Sequence, residues 1–158
     1  MTTNITDWLQ GRLPEDWFTA FDVVVDREEI TVHGTLPSTD VAGQGEAGRI
    51  QRFRESTREQ RIGIARELEA STGRKVAWKV TCGGTTTAFT RLAVPVMTRL
   101  AQPQRRVLDT LVESGVARSR SEALAWCVKL VEQHAGQWLG ELDAAMEAVR
   151  TVREQGPA

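Results

Sequence analysis

The sequence predicts an α+β chain in which a small two-layer unit of order α-β-β-α-β precedes a strand-helix-helix unit and a C-terminal helix. Three patterns predict it. Phe21, Val23 and Val25 alternate with more exposed positions, and Ile30 and Val32 resume the alternation beyond the turn DREE, which marks a β-hairpin. Ile50, Phe53, Thr57, Ile64 and Leu68 recur at helical spacing. From Arg91 a further alternating run leads into two helical patterns separated by Gly115. The domain boundaries that follow are 1–90, 91–134 and 135–158.

In chain order, Ile5, Trp8, Leu9 and Leu13 predict a first helix, with Asn4 or Thr6 as its cap and Pro14 just beyond its end. Gly34 and Pro37 close the hairpin. The small residues of STDVAGQGEAG, 38–48, predict a loop and the most mobile segment of this half. One long helix is expected from about Glu46 to Ser71, with Gly73 as its C′ residue. Arginines and glutamates interleave along it, which reads first as a solvated surface of i,i+4 ion pairs and second as a nucleic-acid face. The strand RKVAWKVTC follows, with Val76, Trp78 and Val80 facing one way. TCGGTTTAFT has adjacent glycines without the Lys-Ser of a phosphate loop, so it predicts a turn.

Composition narrows the function classes. The chain has 158 residues, 41% apolar and 26% charged, enough to bury a core. No run approaches the roughly 18 apolar residues of a membrane span, and MTTNITDWLQ lacks a signal pattern, so a cytoplasmic protein is expected. Cys82 and Cys127 are too few and too far apart for a disulfide framework or a zinc site. His33 and His134 lack nearby metal-ligand companions, and no nucleophile motif surrounds Cys82 or any serine. No catalysis, metal or cofactor is expected. Arginine outnumbers lysine 17 to 3, consistent with a GC-rich bacterial genome. The net charge of −1 is unevenly spread: residues 91–129 carry +4 and residues 130–158 carry −3. A basic block of this kind attracts phosphate.

That basic block has the sharpest pattern. In RLAVPVMTRL, Leu92, Val94, Val96, Thr98 and Leu100 share one face, and Arg91, Ala93, Pro95, Met97 and Arg99 the other. Pro95 limits full strand pairing, so the strand either has an open side or begins near Val96. QPQRRVLDTLVESG then reads as a helix with Pro103 in its first turn, an apolar stripe of Val107, Leu108, Leu111 and Val112, and Gly115 as its stop. Ser119 and Glu122 have capping-box spacing at the next helix start. Ala123, Leu124, Cys127, Val128 and Val131 form that helix's apolar face.

A short strand ending in Arg-Leu, a helix of about a dozen residues, a glycine turn and an S-R-S-E-A-L helix start resemble the ribbon-helix-helix family of DNA-binding proteins, the Arc- and MetJ-like repressors. The resemblance covers about residues 94–132. It implies a homodimer whose strands pair antiparallel over a core of Val94, Val96, Thr98, Leu100, Leu108, Leu111, Leu124 and Val128. It places Arg99 against a DNA base in the major groove, with Met97 and Arg91 as further base contacts. Arg118, Ser119, Arg120 and Ser121 are implied to meet a phosphate. Pro95 and Met97 depart from the polar side chains such a strand normally offers. The N-terminal element order is weakly similar to BON-like domains.

In the tail, Ala135, Trp138, Leu142, Ala145, Val149 and Val152 step by three and four residues, a heptad-like seam of about two and a half repeats. The expectation is a homodimeric protein that binds duplex DNA in the bacterial cytoplasm, as a transcriptional regulator or nucleoid-type binder. The alternative is a non-catalytic scaffold or antitoxin-like module. In either case a protein partner can engage the N-terminal unit or the C-terminal helix.

Overall fold

A computed structural model describes residues 2–38 and 43–157, so residues 39–42 of the expected 38–48 loop lie outside the described residues, and its end, from Gln44, is helical. The fold is α+β, and the backbone divides into two units, Met1–Val96 and Met97–Ala158.

The first unit begins with α1 (Thr2–Arg12) and the hairpin β1 (Ala20–Val25) and β2 (Glu29–Thr35). Asp26 makes the hairpin turn, its carboxylate accepting from the amides of Glu28 and Glu29 at 2.9 and 2.7 Å. Two helices, α2 (Gln44–Ser56) and α3 (Arg58–Thr72), carry the chain across to β3 (Lys75–Cys82), which pairs parallel with β2. A strand β4 (Thr85–Ala88) then returns antiparallel beside β3, completing a mixed sheet of order β1-β2-β3-β4. The turn at Gly83 and Gly84 was expected; the strand after it was not. Gly83 has φ +57°, and a side chain there would also collide with Glu46. The Glu46 carboxylate is held by the Thr85 hydroxyl at 2.7 Å and by the backbone amides of Gly84, Gly43 and Thr85.

Period-two alternation gives β2 a buried face of Ile30, Val32 and Gly34, and the parallel register sets Trp78 and Val80 beside it. Ile5, Leu9 and Leu13 of the first segment and Ile50, Ile64 and Leu68 of the helices close over this face. Leu9, Ile30, Ile64, Val32 and Val80 lose essentially all contact with water. Each such side chain contributes about 1.5–3 kcal/mol of burial. Trp17 lies edge-on to Phe53 and Trp78, with ring centroids 5.3 and 6.1 Å apart, which ties α2 to the sheet. Phe18 rests directly on the backbone of Gly34, where any side chain would strike its ring.

The single long helix expected over 46–71 is two helices broken at Thr57. The cause is local. Thr57 is buried, and its hydroxyl donates to the Phe53 carbonyl one turn back, a competitor to the helix's own ladder that bends helices. Arg61 then fills the bend: its Nε donates to Thr57 Oγ1 at 3.0 Å and its Nη2 to the Arg54 carbonyl at 2.6 Å.

The second unit holds α4 (Gln102–Glu113), α5 (Arg120–His134) and α6 (Gly136–Gln155). Pro103 sits in the first turn of α4, and Gly115, at φ +80°, follows its end as expected. Leu108, Ala117 and Ala123 are buried where α4 meets α5, with Leu100, Leu111, Val112, Leu124 and Cys127 packed around them. The α5 and α6 helices part at Ala135, where φ is −116°. No residue of α6 is buried.

The segment 91–100, expected to be a strand paired with a second copy, has no strand partner in the single chain. Residues 90–101 contain no strand. A β-strand exists only by hydrogen bonding to a neighbour, and this chain offers the segment none. The face expected to be covered by a second copy is open in the single chain: Val94 and Thr98 are exposed, Val96 is 84% exposed, and Leu100 packs inward. Val128, also expected in the core between two copies, is 63% exposed in the single chain.

Candidate nucleic-acid interface

The helix start at 118–122 is built as its spacing predicts. Ser119 has extended backbone and its Oγ accepts from the Glu122 amide at 3.1 Å, while the Glu122 carboxylate accepts from the Arg118 amide at 2.8 Å. The Arg118 amide, then its guanidinium, holds the Glu122 carboxyl below its usual range.

The two arginines expected to meet phosphate have partners within the chain. Arg120 binds both oxygens of Asp109, Nε to Oδ1 at 2.7 Å and Nη2 to Oδ2 at 2.9 Å. This bond lowers the Asp109 pKa and raises that of Arg120. Arg118 lies 3.4 Å from the Glu122 carboxylate but is 93% exposed, so its charge still faces water. Ser121 is exposed on the first turn of α5. Ser119 caps the helix, and a carboxylate stands beside each neighbouring arginine.

The residues expected at DNA bases are differently placed. Arg91, Met97 and Arg99 are exposed along the extended segment. Among the described residues Arg91, Arg99 and Arg106 make no ion pair. Arg105 folds back on the Leu100 carbonyl, securing the entry to α4. The sequence around these arginines has a property that windowed charge counts obscure. Between Glu69 and Asp109 there is no acidic residue, while Arg74, Lys75, Lys79, Arg91, Arg99, Arg105 and Arg106 all fall in that interval.

The apolar surface of the second unit is extensive. On α6 Trp138, Leu142, Val149 and Val152 of the heptad-like seam are exposed, and Leu139 and Met146 widen it. On α5 Trp126, Val128, Leu130 and Val131 are exposed.

One polar line in the first unit escapes sequence inspection, because its members lie on four strands. Asp22 Oδ1 is 3.3 Å from His33 Nδ1, His33 Nε2 is 2.7 Å from Thr81 Oγ1, and Thr81 Oγ1 is 2.7 Å from Thr86 Oγ1. It crosses the sheet face opposite the helices and serves as cross-strand pairing. Among the described residues no group of three or more His, Cys, Asp or Glu is placed to hold a metal, and no helix is long and apolar enough to cross a membrane.

No solved structure matches the chain. Residues 3–88 match the family model of the Rv1265-like protein N-terminal domain, and residues 101–153 match that of the Mb1296 C-terminal domain. These matches overturn the resemblance to ribbon-helix-helix and BON-like families, neither of which is found. The chain is 56% identical over 156 residues to Mb1296 of Mycobacterium bovis and to Rv1265 of Mycobacterium tuberculosis, spanning 96% of its own length and 69% of theirs. With most of its length aligned at that identity and its N-terminal half matched by the family model, the chain belongs to the Rv1265-like protein family.

Proposed function

We propose that this chain is a homodimeric DNA-binding protein of the bacterial cytoplasm, acting on the nucleoid as a regulator or architectural binder. The acid-free interval from residue 70 to residue 108 carries the reading. Four of its seven cations fall in the first unit and three in the second, and among the described residues Arg91, Arg99 and Arg106 make no ion pair, which leaves them available to a polyanion. The uncovered apolar faces of α5 and α6 support the dimer, since exposed patches of this kind mark association surfaces.

The test is fluorescence anisotropy on a labelled duplex across a salt series. Affinity in the micromolar range at about 50 mM salt, falling steeply as salt rises, supports the reading. No binding at that salt ends it. The alternative, a scaffold that dimerises without touching DNA, draws support from the acids already seated beside Arg118 and Arg120. It expects the same dimer by light scattering, a co-purifying protein partner and a flat anisotropy trace.

A further inference from the structure

The bend at Thr57 produces a second concentration of positive charge, in the first unit, that the DNA reading does not use. Arg54, near the end of α2, and Arg58 and Arg61, in the first turn of α3, flank the break and face one cleft. They line a cleft of about 360 Å³ whose apolar wall includes Ile62, Ala65 and Val76. Two of the guanidiniums lie against Phe89, Arg61 at 4.8 Å and Arg54 at 5.3 Å from the ring centroid. Arg61 is also 6.0 Å from the centroid of Trp78.

Arg61 is the unusual member. It is 7% exposed and has no carboxylate within ion-pair distance among the described residues. Burial, then the charges of Arg54 and Arg58, push its pKa down to about 10. Buried charges are ordinarily paired, and this one has only a hydroxyl, a carbonyl and ring faces. Its Nη1 makes no hydrogen bond among the described residues, and since no buried side-chain nitrogen there lacks a partner, Nη1 keeps contact with solvent. Arg58 pairs only with its exposed neighbour Glu59. The one acid lining the cleft, Glu55, takes its hydrogen bond from Gln51. Three guanidiniums stand against Glu55 and, beside Arg58, Glu59, leaving an excess of one positive charge.

We infer that this cleft binds a small phosphomonoester, its phosphate held by Arg54, Arg58 and Arg61 and its apolar body resting on Ile62, Ala65 and Val76. The arginines outnumber the carboxylates around them, so the cleft favours an anion. Guanidinium forks suit phosphate oxygens, and the aromatic faces keep the arginines in place before the ligand arrives.

Titration calorimetry and thermal melting of the full chain with phenyl phosphate test this, with inorganic phosphate and sodium chloride at matched ionic strength as references. Phenyl phosphate at about 10 mM should raise the melting temperature, and bind about tenfold more tightly than inorganic phosphate. Arg58→Ala, on an exposed side chain, should weaken binding about tenfold while circular dichroism stays unchanged; Arg61→Met should abolish it. The inference is overturned by no specific shift in the wild-type protein, by wild-type affinity in Arg58→Ala, or by displacement of phenyl phosphate by duplex DNA, which would make the cleft a nucleic-acid contact. If Arg61→Met fails to fold, Arg58→Ala decides. Apart from displacement by duplex DNA, these outcomes leave duplex binding by Arg99 and Arg106 to its own assay.

Discussion

Arg120, the first residue of α5, grips both carboxylate oxygens of Asp109 on α4 and so closes the turn between the two helices. Because the pair is solvent-facing, its removal should cost little. Its pH dependence is more informative. Arg120 lowers the folded-state pKa of Asp109, so the pair's contribution is present above the unfolded carboxylate pKa and is lost as pH falls through the lower folded value. Asp109→Asn should therefore melt slightly below wild type at neutral pH, and the gap should close under acid. Melting curves across the acid range check this.

The same pairing separates the arginines by their availability to DNA. Arg99→Ala and Arg106→Ala, which break no internal ion pair, should each reduce the slope of log affinity against log salt by about one. Arg120→Ala should reduce it by less, since that guanidinium is already occupied. Equal effects from all three would place Asp109 and Arg120 apart when DNA is bound.

The uncovered seam of α6 makes a prediction independent of DNA. Leu142 sits midway along it, so Leu142→Asp should weaken self-association by at least about tenfold while leaving helix content intact, the size expected for losing a central apolar contact. Light scattering over a concentration series, alongside circular dichroism, measures both.

Inside the first unit, Thr57→Val keeps the volume but removes the acceptor for Arg61 Nε and the donor to Phe53. Urea unfolding should show a loss of about 1–3 kcal/mol, the range for a buried group left unsatisfied. Arg61→Met should be neutral or stabilising without ligand, because an apolar side chain replaces a buried unpaired cation.

Gly34→Ala should be costly for a different reason. The added methyl would meet the Phe18 ring, and relief requires moving a side chain packed against Trp17 and Phe53. A loss of about 1–3 kcal/mol is expected, read by the same unfolding experiment.

These residues also indicate what sequence could and could not reveal. The β1–β2 hairpin, β3, the α4 start at Pro103 and the Ser119 cap were legible because each depends on local periodicity or on chemistry within four residues. The break at Thr57 was not, since threonine fits the helical apolar stripe and bends it only through its hydroxyl. β4 was missed because TTTA carries no apolar alternation and is a strand by virtue of β3 alone. Residues 91–100 show the converse: clean alternation, yet no hydrogen-bonded neighbour. The candidate interface was legible as a charge block, but the carboxylates beside Arg118 and Arg120 depend on the turn geometry.

The tie between Glu46 and the β3–β4 turn has a kinetic consequence. Its hydrogen bond to Thr85 spans 39 residues and needs both the α2 start and the finished hairpin. Contacts of such separation form late, after loop closure has been offset by the core. Glu46→Gln should therefore leave the refolding rate nearly unchanged and speed unfolding, placing this latch on the native side of the barrier.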